Sequence, residues 1–426
     1  MLSLEGLQAR AREFGLDSED VQRIVTPLIC LTPDMEDQMN RRNVLTFHAN
    51  VAEGREGRVM QFAKGTAMNL VRLGLFLSVF ATTTSLLPSD SVESSQRKFY
   101  PGRLFHPGSV AVLPDDGREI YFEAFAAARR EIRIEICVLE DPLVLQSLKQ
   151  AIDRGVRVRV IVDHGKYEAL PSEQVNLAAY LTGVGAQLHL SNPIFPRSFP
   201  KVILIDERYA LIGSACLDTT TFAQYRDYAY VSDESRIIKD LSRVFENDWL
   251  HSANPGQSSP TYNPTPVITQ PNLIVSPVNA AYRLVSFIQK AQRTLDVTSE
   301  LLGDPTLESE LAAAVANGVR VRLIAPETVN GATPDIQRLQ LSSLSALKAA
   351  GIHIHVTRPP ESLESPYMHA RTAVADGKRA YLGSISLSPD SATYNREVGL
   401  ILDDDHFVRT LENQFEIDFN SKSRVY

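Results

Sequence analysis

Apolar residues along most of the chain alternate between the spacing of strands and the spacing of amphipathic helices. The order is a helix at 119–130, a strand at 132–139, a helix ending near Arg154 and a strand at 156–162. Strands rich in β-branched residues that alternate with helices indicate a central sheet covered by helices on its faces. The pattern therefore predicts a protein of the α/β class.

The same order of elements occurs a second time further along the chain. A helix at 282–293, a strand at 295–302 and a strand at 319–325 repeat the first copy, and each copy has a strand that begins with Val-Arg-Val-Arg. Two similar units most simply pack as a pseudo-two-fold pair, like a dimer within one chain. We expect one half at 101–251 and the other at 273–426.

The segments outside the repeat differ in composition. Residues 252–272 are rich in Ser, Pro and Asn, which is typical of a linker. Residues 1–100 have no counterpart, and the apolar spacing near their start predicts a helical extension.

Within that extension, residues 73–89 carry no charged side chain. Their length is at the lower end of the range for a membrane span, and the basic residues before them also fit a secretory signal. A buried helix is the alternative. The chain would be membrane-associated or secreted if the segment is an anchor or a signal, and otherwise cytoplasmic.

Composition narrows the class of protein. Apolar residues make up 44% and charged residues 22%, as in ordinary globular proteins, and the formal net charge is −8. An acidic chain argues mildly against binding to nucleic-acid backbones. Three cysteines, Cys30, Cys137 and Cys216, are too few and too scattered for a disulfide framework or a structural zinc site, and fit a reducing compartment.

The candidate chemistry lies in a polar motif that occurs once in each half. Its members are Phe199, Lys201, Asp206 and Gly213-Ser214 in the first copy, and His369, Arg371, Asp376 and Gly383-Ser384 in the second. Residues two apart on a strand share a face, so His369 and Arg371 would face the same way. A cation beside an imidazole suits an oxyanion, because the cation neutralises its charge while the imidazole attacks or transfers a proton.

A carboxylate follows each motif at the same distance along the chain. The interval from Phe199 to Asp227 equals the interval from His369 to Glu397. A carboxylate that accepts a hydrogen bond from an imidazole fixes its tautomer and raises its basicity. We therefore expect Glu397 to orient His369.

At these residues the chain resembles the phospholipase D superfamily, whose signature is His-x-Lys, four residues, Asp, six residues and Gly-Ser. The resemblance covers roughly residues 110–426, with both copies in register. It implies two α/β/α sandwich halves whose motifs meet at their interface. It also implies phosphodiester hydrolysis or transfer without a metal ion or cofactor, in which one motif His forms a phosphohistidine and the other protonates the leaving alcohol.

The resemblance implies a role for each position of this chain that aligns with the family signature. The matching positions are His369 as nucleophile, Glu397 as its orienter, Lys201, Arg371, Ser214 and Ser384 as the phosphate cradle, and Asp206 and Asp376 as motif aspartates that are more structural than catalytic. Arg371 stands where Lys is usual and keeps the charge with a different shape. Phe199 stands where the family has its other His, and a phenyl ring can neither donate nor accept a proton.

That loss leaves several interpretations open, since general acid–base catalysis contributes about 10²–10⁴-fold to rate. The chain is an enzyme whose acid is supplied by another group or is unneeded for a good leaving group, a pseudoenzyme that binds phosphodiesters or lipid, or an enzyme for another reaction. Within the enzyme interpretation a phospholipid substrate is favoured by the acidic charge and by residues 73–89, with a nuclease as the rival. His164, at the end of a strand, is a candidate replacement acid, whereas His189 and His355 occupy matching positions and predict a shared structural role.

Overall fold

The computed structural model of the chain describes residues 104–169, 171–359 and 365–426. All of them fall within one compact unit, Phe99–Tyr426. The predicted N-terminal extension, including residues 73–89, lies outside the described residues. Among the residues that are described, no helix combines the length and apolar character that a membrane crossing requires.

The first half contains one sheet with helices against it. Its elements are β1 (Val110–Leu113), α1 (Glu119–Ala127), β2 (Glu131–Ile136), α2 (Pro142–Asp153), β3 (Arg157–Val162), α3 (His164–Ala169), α4 (Pro171–Gly183), β4 (Gln187–Leu190), β5 (Val202–Ile205), β6 (Tyr209–Gly213), α5 (Thr219–Gln224), β7 (Tyr225–Ser232) and α6 (Ser235–His251). The strand order is β1-β7-β6-β5-β2-β3-β4. Strands β2, β3 and β4 are parallel, and the other neighbours in this order are antiparallel.

The second half repeats this architecture. Its elements are β8 (Leu273–Ser276), α7 (Ala280–Gln289), β9 (Thr294–Thr298), α8 (Pro305–Ala316), β10 (Arg320–Pro326), α9 (Pro334–Ala349), β11 (His353–Thr357), β12 (Tyr367–Met368), β13 (Arg371–Ala375), β14 (Arg379–Gly383), α10 (Pro389–Thr393), β15 (Glu397–Leu402), α11 (Asp405–Ile417), a π-helical turn (Asp418–Lys422) and β16 (Arg424–Val425). The strand order is β16-β11-β10-β9-β13-β14-β15-β8, which matches the first sheet strand for strand apart from the added β16. The predicted α/β class with two equivalent halves is confirmed.

Matching residues start the equivalent helices α2 and α8. Asp141 accepts hydrogen bonds from the backbone N–H groups of Leu143 and Val144, and Asp304 does the same at the start of α8. A proline follows each of these caps, at a position where a helix needs no backbone donor. The local sequence therefore specifies the same helix start in both halves.

One arginine of each Val-Arg-Val-Arg segment pairs with an acidic side chain of a helix. Arg159 on β3 donates to Glu246 on α6, and Arg322 on β10 donates to Glu416 on α11. These bonds tie each sheet to the long helix that follows it, so the segments do not form a free basic surface.

The two halves share one apolar core. A single cluster includes Ile212 and Phe245 from the first half with Leu382 and Phe407 from the second. Burial of such a surface favours a fixed arrangement of the halves, since apolar burial is the main favourable contribution to packing. The halves are therefore parts of one body.

Two buried ion pairs cross between the halves at equivalent positions. Arg226 Nε donates to Asp418 Oδ2 at 2.8 Å, and Arg396 Nη2 donates to Asp248 Oδ1 at 3.1 Å. Each arginine precedes one of the two candidate carboxylates, and the two aspartates occupy matching positions of the repeat. The pairs mark the pseudo-two-fold relation and anchor the strands that carry the site.

Candidate active site

The two motifs lie at the interface because each half lends a short strand to the other. Tyr367 and Met368 of β12 pair with Tyr225 and Arg226 of β7 in the first half. At the equivalent place, residues 198 and 396 form an isolated bridge, and Phe199 N–H donates to Arg396 O at 2.8 Å. This exchange brings residues 199–201 and 369–371 to the same interface.

His369 is held by a carboxylate from the other half. Its Nδ1 lies 2.8 and 3.0 Å from the two carboxylate oxygens of Asp227, which is fully buried. Asp227 Oδ1 also accepts a hydrogen bond from Ser214 Oγ at 2.6 Å. An Nδ1–H that donates to Asp227 leaves the lone pair on Nε2, which is the arrangement a nucleophile needs.

The expected pair of His369 and Glu397 is wrong. Glu397 accepts from Ser391 Oγ at 2.7 Å and from Asn395 Nδ2 at 3.0 Å, and its Oε2 is buried without a hydrogen-bond partner among the described residues. By the same strand exchange, Glu397 faces the motif of the first half, where the phenyl ring of Phe199 has no N–H to donate. Equal spacing within each half could not reveal that the carboxylates serve the opposite motif.

Burial raises the pKa of Glu397, and the nearby ammonium group of Lys201 offsets only part of that effect. A carboxylate that loses its imidazole partner in a dry site is expected to take up a proton more readily. Glu397 is thus the remaining half of an acid–imidazole pair whose imidazole is absent.

Arg371 is neutralised by neighbours within its own half. Its Nη2 forms an ion pair with Glu300, its Nη1 donates to the backbone oxygen of His369, and its Nε donates to Ser386 Oγ at 3.0 Å. Glu300 Oε2 lies 3.8 Å from His369 Nε2, and Glu300 Oε1 accepts a hydrogen bond from Tyr367 at 3.0 Å. A carboxylate therefore occupies the space between the guanidinium group and the reactive nitrogen.

Glu300 belongs to neither motif, and spacing alone did not indicate it. Its counterpart in the first copy of the repeat is Cys137, so the position differs between the halves. The signal that could have found it is its place just after β9, because side chains at the carboxyl ends of strands in α/β sheets commonly face ligands.

Lys201 lacks the partners that Arg371 has. Its Nζ lies 5.0 Å from the centre of the Phe199 ring, and within the described part of the chain it forms no hydrogen bond or ion pair. The positions equivalent to Glu300 and Ser386 are Cys137 and Cys216, and these are joined in a disulfide. Burial, followed by the charge of Arg371, lowers the pKa of Lys201 to about 8.

The cysteine count gave no sign of this disulfide. Cys137 follows β2 and Cys216 follows β6, and their Cα atoms are 6.0 Å apart. Residues 79 apart in sequence give no sign of such proximity until the strands are paired. Through the repeat, the two cysteines correspond to Glu300 and Ser386. A disulfide in the first half therefore replaces the carboxylate and the hydroxyl that contact Arg371 in the second half.

The structure corrects the roles expected for Ser214 and Ser384. Ser214 Oγ donates to Asp227, and Ser384 Oγ donates to the backbone oxygen of Val398 at 3.3 Å. Both side chains are buried. The hydroxyl groups therefore stabilise the strands behind the site, and the phosphate cradle is reduced to Lys201 and Arg371.

Asp206 and Asp376 also lie away from the chemistry. Each accepts hydrogen bonds from three successive backbone N–H groups, those of 129–131 for Asp206 and those of 292–294 for Asp376. Each lies at the opposite end of its strand from Lys201 or Arg371, which is about 16 Å along the chain direction. They fix the turns at the far ends of β5 and β13, so their inclusion among the catalytic residues is not supported.

The other histidines have local partners. His164 Nδ1 lies 3.3 Å from Ser191 Oγ, and no hydrogen bond among the described residues joins it to the site. His189 stacks on Trp249 and His355 stacks on Phe419, each at 3.7 Å between ring centres, which confirms their shared structural role. Among the same residues, no group of three or more His, Cys, Asp or Glu side chains is placed to hold a metal ion.

Comparison with known proteins agrees with this geometry. The family model described as "Cardiolipin synthase, PLD-like domain" matches residues 121–249 and 284–419. Cardiolipin synthase of Geobacillus kaustophilus is 24% identical over 360 residues, covering 75% of this chain and 68% of that protein. Cardiolipin synthase A of Pseudomonas aeruginosa is 26% identical over 329 residues, covering 71% of this chain and 64% of its own length. The chain thus spans about two thirds of these relatives.

A solved structure shows the same fold. The crystal structure of phosphatidylserine synthase from Haemophilus influenzae Rd KW20 superposes with a TM-score of 0.59 at 13% identity, covering 74% of this chain and 87% of that one. Both halves of the present chain therefore have counterparts in the same three-dimensional arrangement.

Proposed function

Because the chain belongs to the phospholipase D superfamily, through its match to the cardiolipin synthase PLD-like domain family, we propose that it hydrolyses a phosphodiester or transfers a phosphatidyl group. The observation that carries the proposal is the contact of His369 with Asp227 across the interface. Together with Lys201 and Arg371, which are also nearly buried, this pair supports a site for a phosphate group.

The reaction has two steps at His369. In the first, Nε2 attacks phosphorus, a P–N bond forms and the P–O bond to the leaving alcohol breaks, so that the alcohol departs with a proton. In the second, water or an acceptor alcohol attacks phosphorus, the P–N bond breaks and the attacking oxygen loses its proton. Asp227 stabilises the imidazolium that the first step creates.

The two cations act on the phosphate oxygens. Lys201 approaches from the first half and Arg371 from the second, so they stabilise negative charge from two sides. Arg371 is ion-paired with Glu300 in the present state, and a phosphate must compete with that carboxylate for it. The site therefore binds an anion only by rearranging one side chain.

A phospholipid substrate is favoured by the relatives. Cardiolipin synthases, from Geobacillus kaustophilus and Pseudomonas aeruginosa among others, align with most of both halves. Transfer of the phosphatidyl group to an alcohol, rather than to water, fits those names. We also propose that the chain associates with membranes, since its substrate lies in a bilayer, and that it acts as a monomer, since one chain supplies both halves of the site.

The test is turnover of phosphatidylcholine, phosphatidylglycerol and DNA by wild type, by His369→Ala and by His353→Ala. His353 is an exposed histidine of β11 and serves as the matched control. We expect lipid turnover that His369→Ala abolishes and His353→Ala retains. Equal rates for wild type and His369→Ala would overturn the mechanism, and turnover of DNA alone would favour a nuclease. Binding of lipid vesicles without turnover would identify a pseudoenzyme.

The covalent intermediate gives a second readout. Acid-labile, base-stable label should appear on wild type, and not on His369→Ala, after rapid denaturation during turnover of a phospholipid that carries a radioactive phosphate. Label on a different residue would remove His369 from the nucleophilic role while leaving the superfamily chemistry intact.

A further inference from the structure

Phe199 takes the place of the imidazole that, in the family mechanism, would protonate the leaving alcohol. In an in-line displacement the attacking and leaving atoms lie on opposite sides of phosphorus. His369 attacks from the second half, so the leaving oxygen faces the first half, at Phe199. An alkoxide that departs without a proton is a poor leaving group, and the loss of a general acid costs about 10²–10⁴-fold.

Three other polar side chains near the site are poorer candidates for the general acid. Glu300 Oε2 is 3.8 Å from the attacking nitrogen and thus lies with the nucleophile. Arg371 holds its protons too firmly to act as an acid. Glu397 faces the first motif, but its Oε1 accepts hydrogen bonds from Ser391 and Asn395 and its Oε2 is buried.

Lys201 lies on the correct side. It follows Phe199 by two positions, and its Nζ is 5.0 Å from the centre of that ring, next to the space that an imidazole would fill. Lys201 is only 5% exposed and has no hydrogen-bonded or ion-paired partner for its ammonium group within the described residues. The backbone of Lys201 has a φ of +51°, a left-handed conformation that is strained for an L-residue and is not found at Arg371.

Resting on the proposed function, we propose that Lys201 is the general acid that protonates the leaving alcohol, in place of the imidazole that Phe199 cannot provide. As the P–O bond breaks, an N–H bond of the ammonium group breaks and an O–H bond forms on the departing oxygen, which leaves a neutral amine. In the second step that amine takes the proton from the attacking water or alcohol, and the ammonium group is restored.

The surroundings of Lys201 fit this role. Burial and the charge of Arg371 lower its pKa to about 8, whereas Glu397, Asp227 and Glu300 act in the opposite direction. An amine with a pKa near the working pH is charged before the reaction and still gives up its proton readily. The disulfide of Cys137 and Cys216 supplies no carboxylate that would hold the ammonium group in an ion pair.

The test compares two leaving groups. Bis(4-nitrophenyl) phosphate releases nitrophenolate, which needs no proton, whereas phosphatidylcholine releases an alkoxide, which does. The variant Lys201→Arg keeps the positive charge and removes the usable proton. We expect it to lower kcat on phosphatidylcholine by about 100-fold or more and on the nitrophenyl ester by less than tenfold. Lys378→Arg, at an exposed lysine of the β13–β14 turn, should match wild type on both.

Two further measurements separate an acid from a simple charge. The rate of wild type on phosphatidylcholine should fall on the alkaline side near pH 8, and this limb should be absent in Lys201→Arg. The double variant Phe199→His/Lys201→Arg should recover turnover of phosphatidylcholine, because it restores an imidazole. The Tm of each variant shows whether the fold is retained. If arginine does not fit the buried position of Lys201, Lys201→Gln offers a smaller side chain.

The outcomes distinguish this inference from the proposed function. An equal loss on both substrates in Lys201→Arg, with turnover still dependent on His369, would show that Lys201 contributes only charge. Turnover of the nitrophenyl ester alone by wild type would show that the site has no acid. Nitrophenyl ester turnover that survives His369→Ala would instead overturn the proposed function.

Discussion

Asp227 of the first half holds the imidazole of His369 in the second half, with 2.8 Å between Nδ1 and the nearer carboxylate oxygen. The residues are 142 apart in sequence and meet only because β12 pairs with β7. The candidate nucleophile of one half is therefore oriented by a side chain of the other, and the two copies of the motif form one site.

Replacing Asp227 tests that contact directly. Asp227→Asn keeps the shape of the side chain but no longer fixes the tautomer of His369 or stabilises its imidazolium form. We expect kcat on bis(4-nitrophenyl) phosphate to fall by about 10³–10⁴-fold, in line with such changes in other acid–imidazole pairs. Asp233→Asn, at an exposed aspartate just past β7, is the control, and a loss of less than tenfold at Asp227 would contradict the role.

Glu300 should limit anion binding. Glu300→Gln removes the carboxylate that pairs with Arg371, so inorganic phosphate no longer displaces a charged group. We expect about tenfold tighter phosphate binding, or ~1.4 kcal/mol, measured as the rise in Tm with phosphate concentration. Glu234→Gln, at an exposed site, should bind as wild type does, and unchanged binding in Glu300→Gln would refute the competition.

Phe199→His should restore the absent half of the pair with Glu397. The new imidazole would donate to Glu397 Oε2, which now has no hydrogen-bond partner in the described residues. We expect turnover of phosphatidylcholine to rise, by up to about 10²-fold if proton transfer limits the rate. Phe199→Leu introduces no proton donor and should show no gain, and a gain with leucine would mean that only space had mattered.

Glu397 should affect stability in a pH-dependent way. Burial raises its pKa, so the folded chain keeps a proton that the unfolded chain loses as the pH rises above the ordinary glutamate value. The stability that this bound proton confers is then lost as the pH rises from the ordinary glutamate pKa to the raised pKa of Glu397. Glu397→Gln removes this loss, so the Tm of the variant minus that of wild type should increase as the pH rises above about 4. A Tm difference that stays constant with pH, as expected for Glu234→Gln, would contradict this role of Glu397.

Repetition and strand periodicity predicted the two halves, and the family resemblance implied that residues 199–201 and 369–371 meet at the interface. The partners of these residues were not predictable in the same way. The equal spacing in the two copies fits Glu397 and Asp227 alike, and the exchange of short strands that selects Asp227 is a tertiary feature. Glu300 and the disulfide of Cys137 and Cys216 belong to no motif, and they become neighbours of the cations only when the sheets form.

The substitution at Phe199 gives the reaction a direction. If both motifs carried an imidazole, either could attack, and a phosphodiester could bind in two orientations and lose either of its alcohols. With His369 alone able to bond phosphorus, only the orientation that points one ester oxygen towards Lys201 is productive. On this mechanism, a duplicated and nearly symmetric scaffold binds its asymmetric substrate productively in only one orientation. The half that carries the phenyl ring then determines which of the two ester bonds breaks.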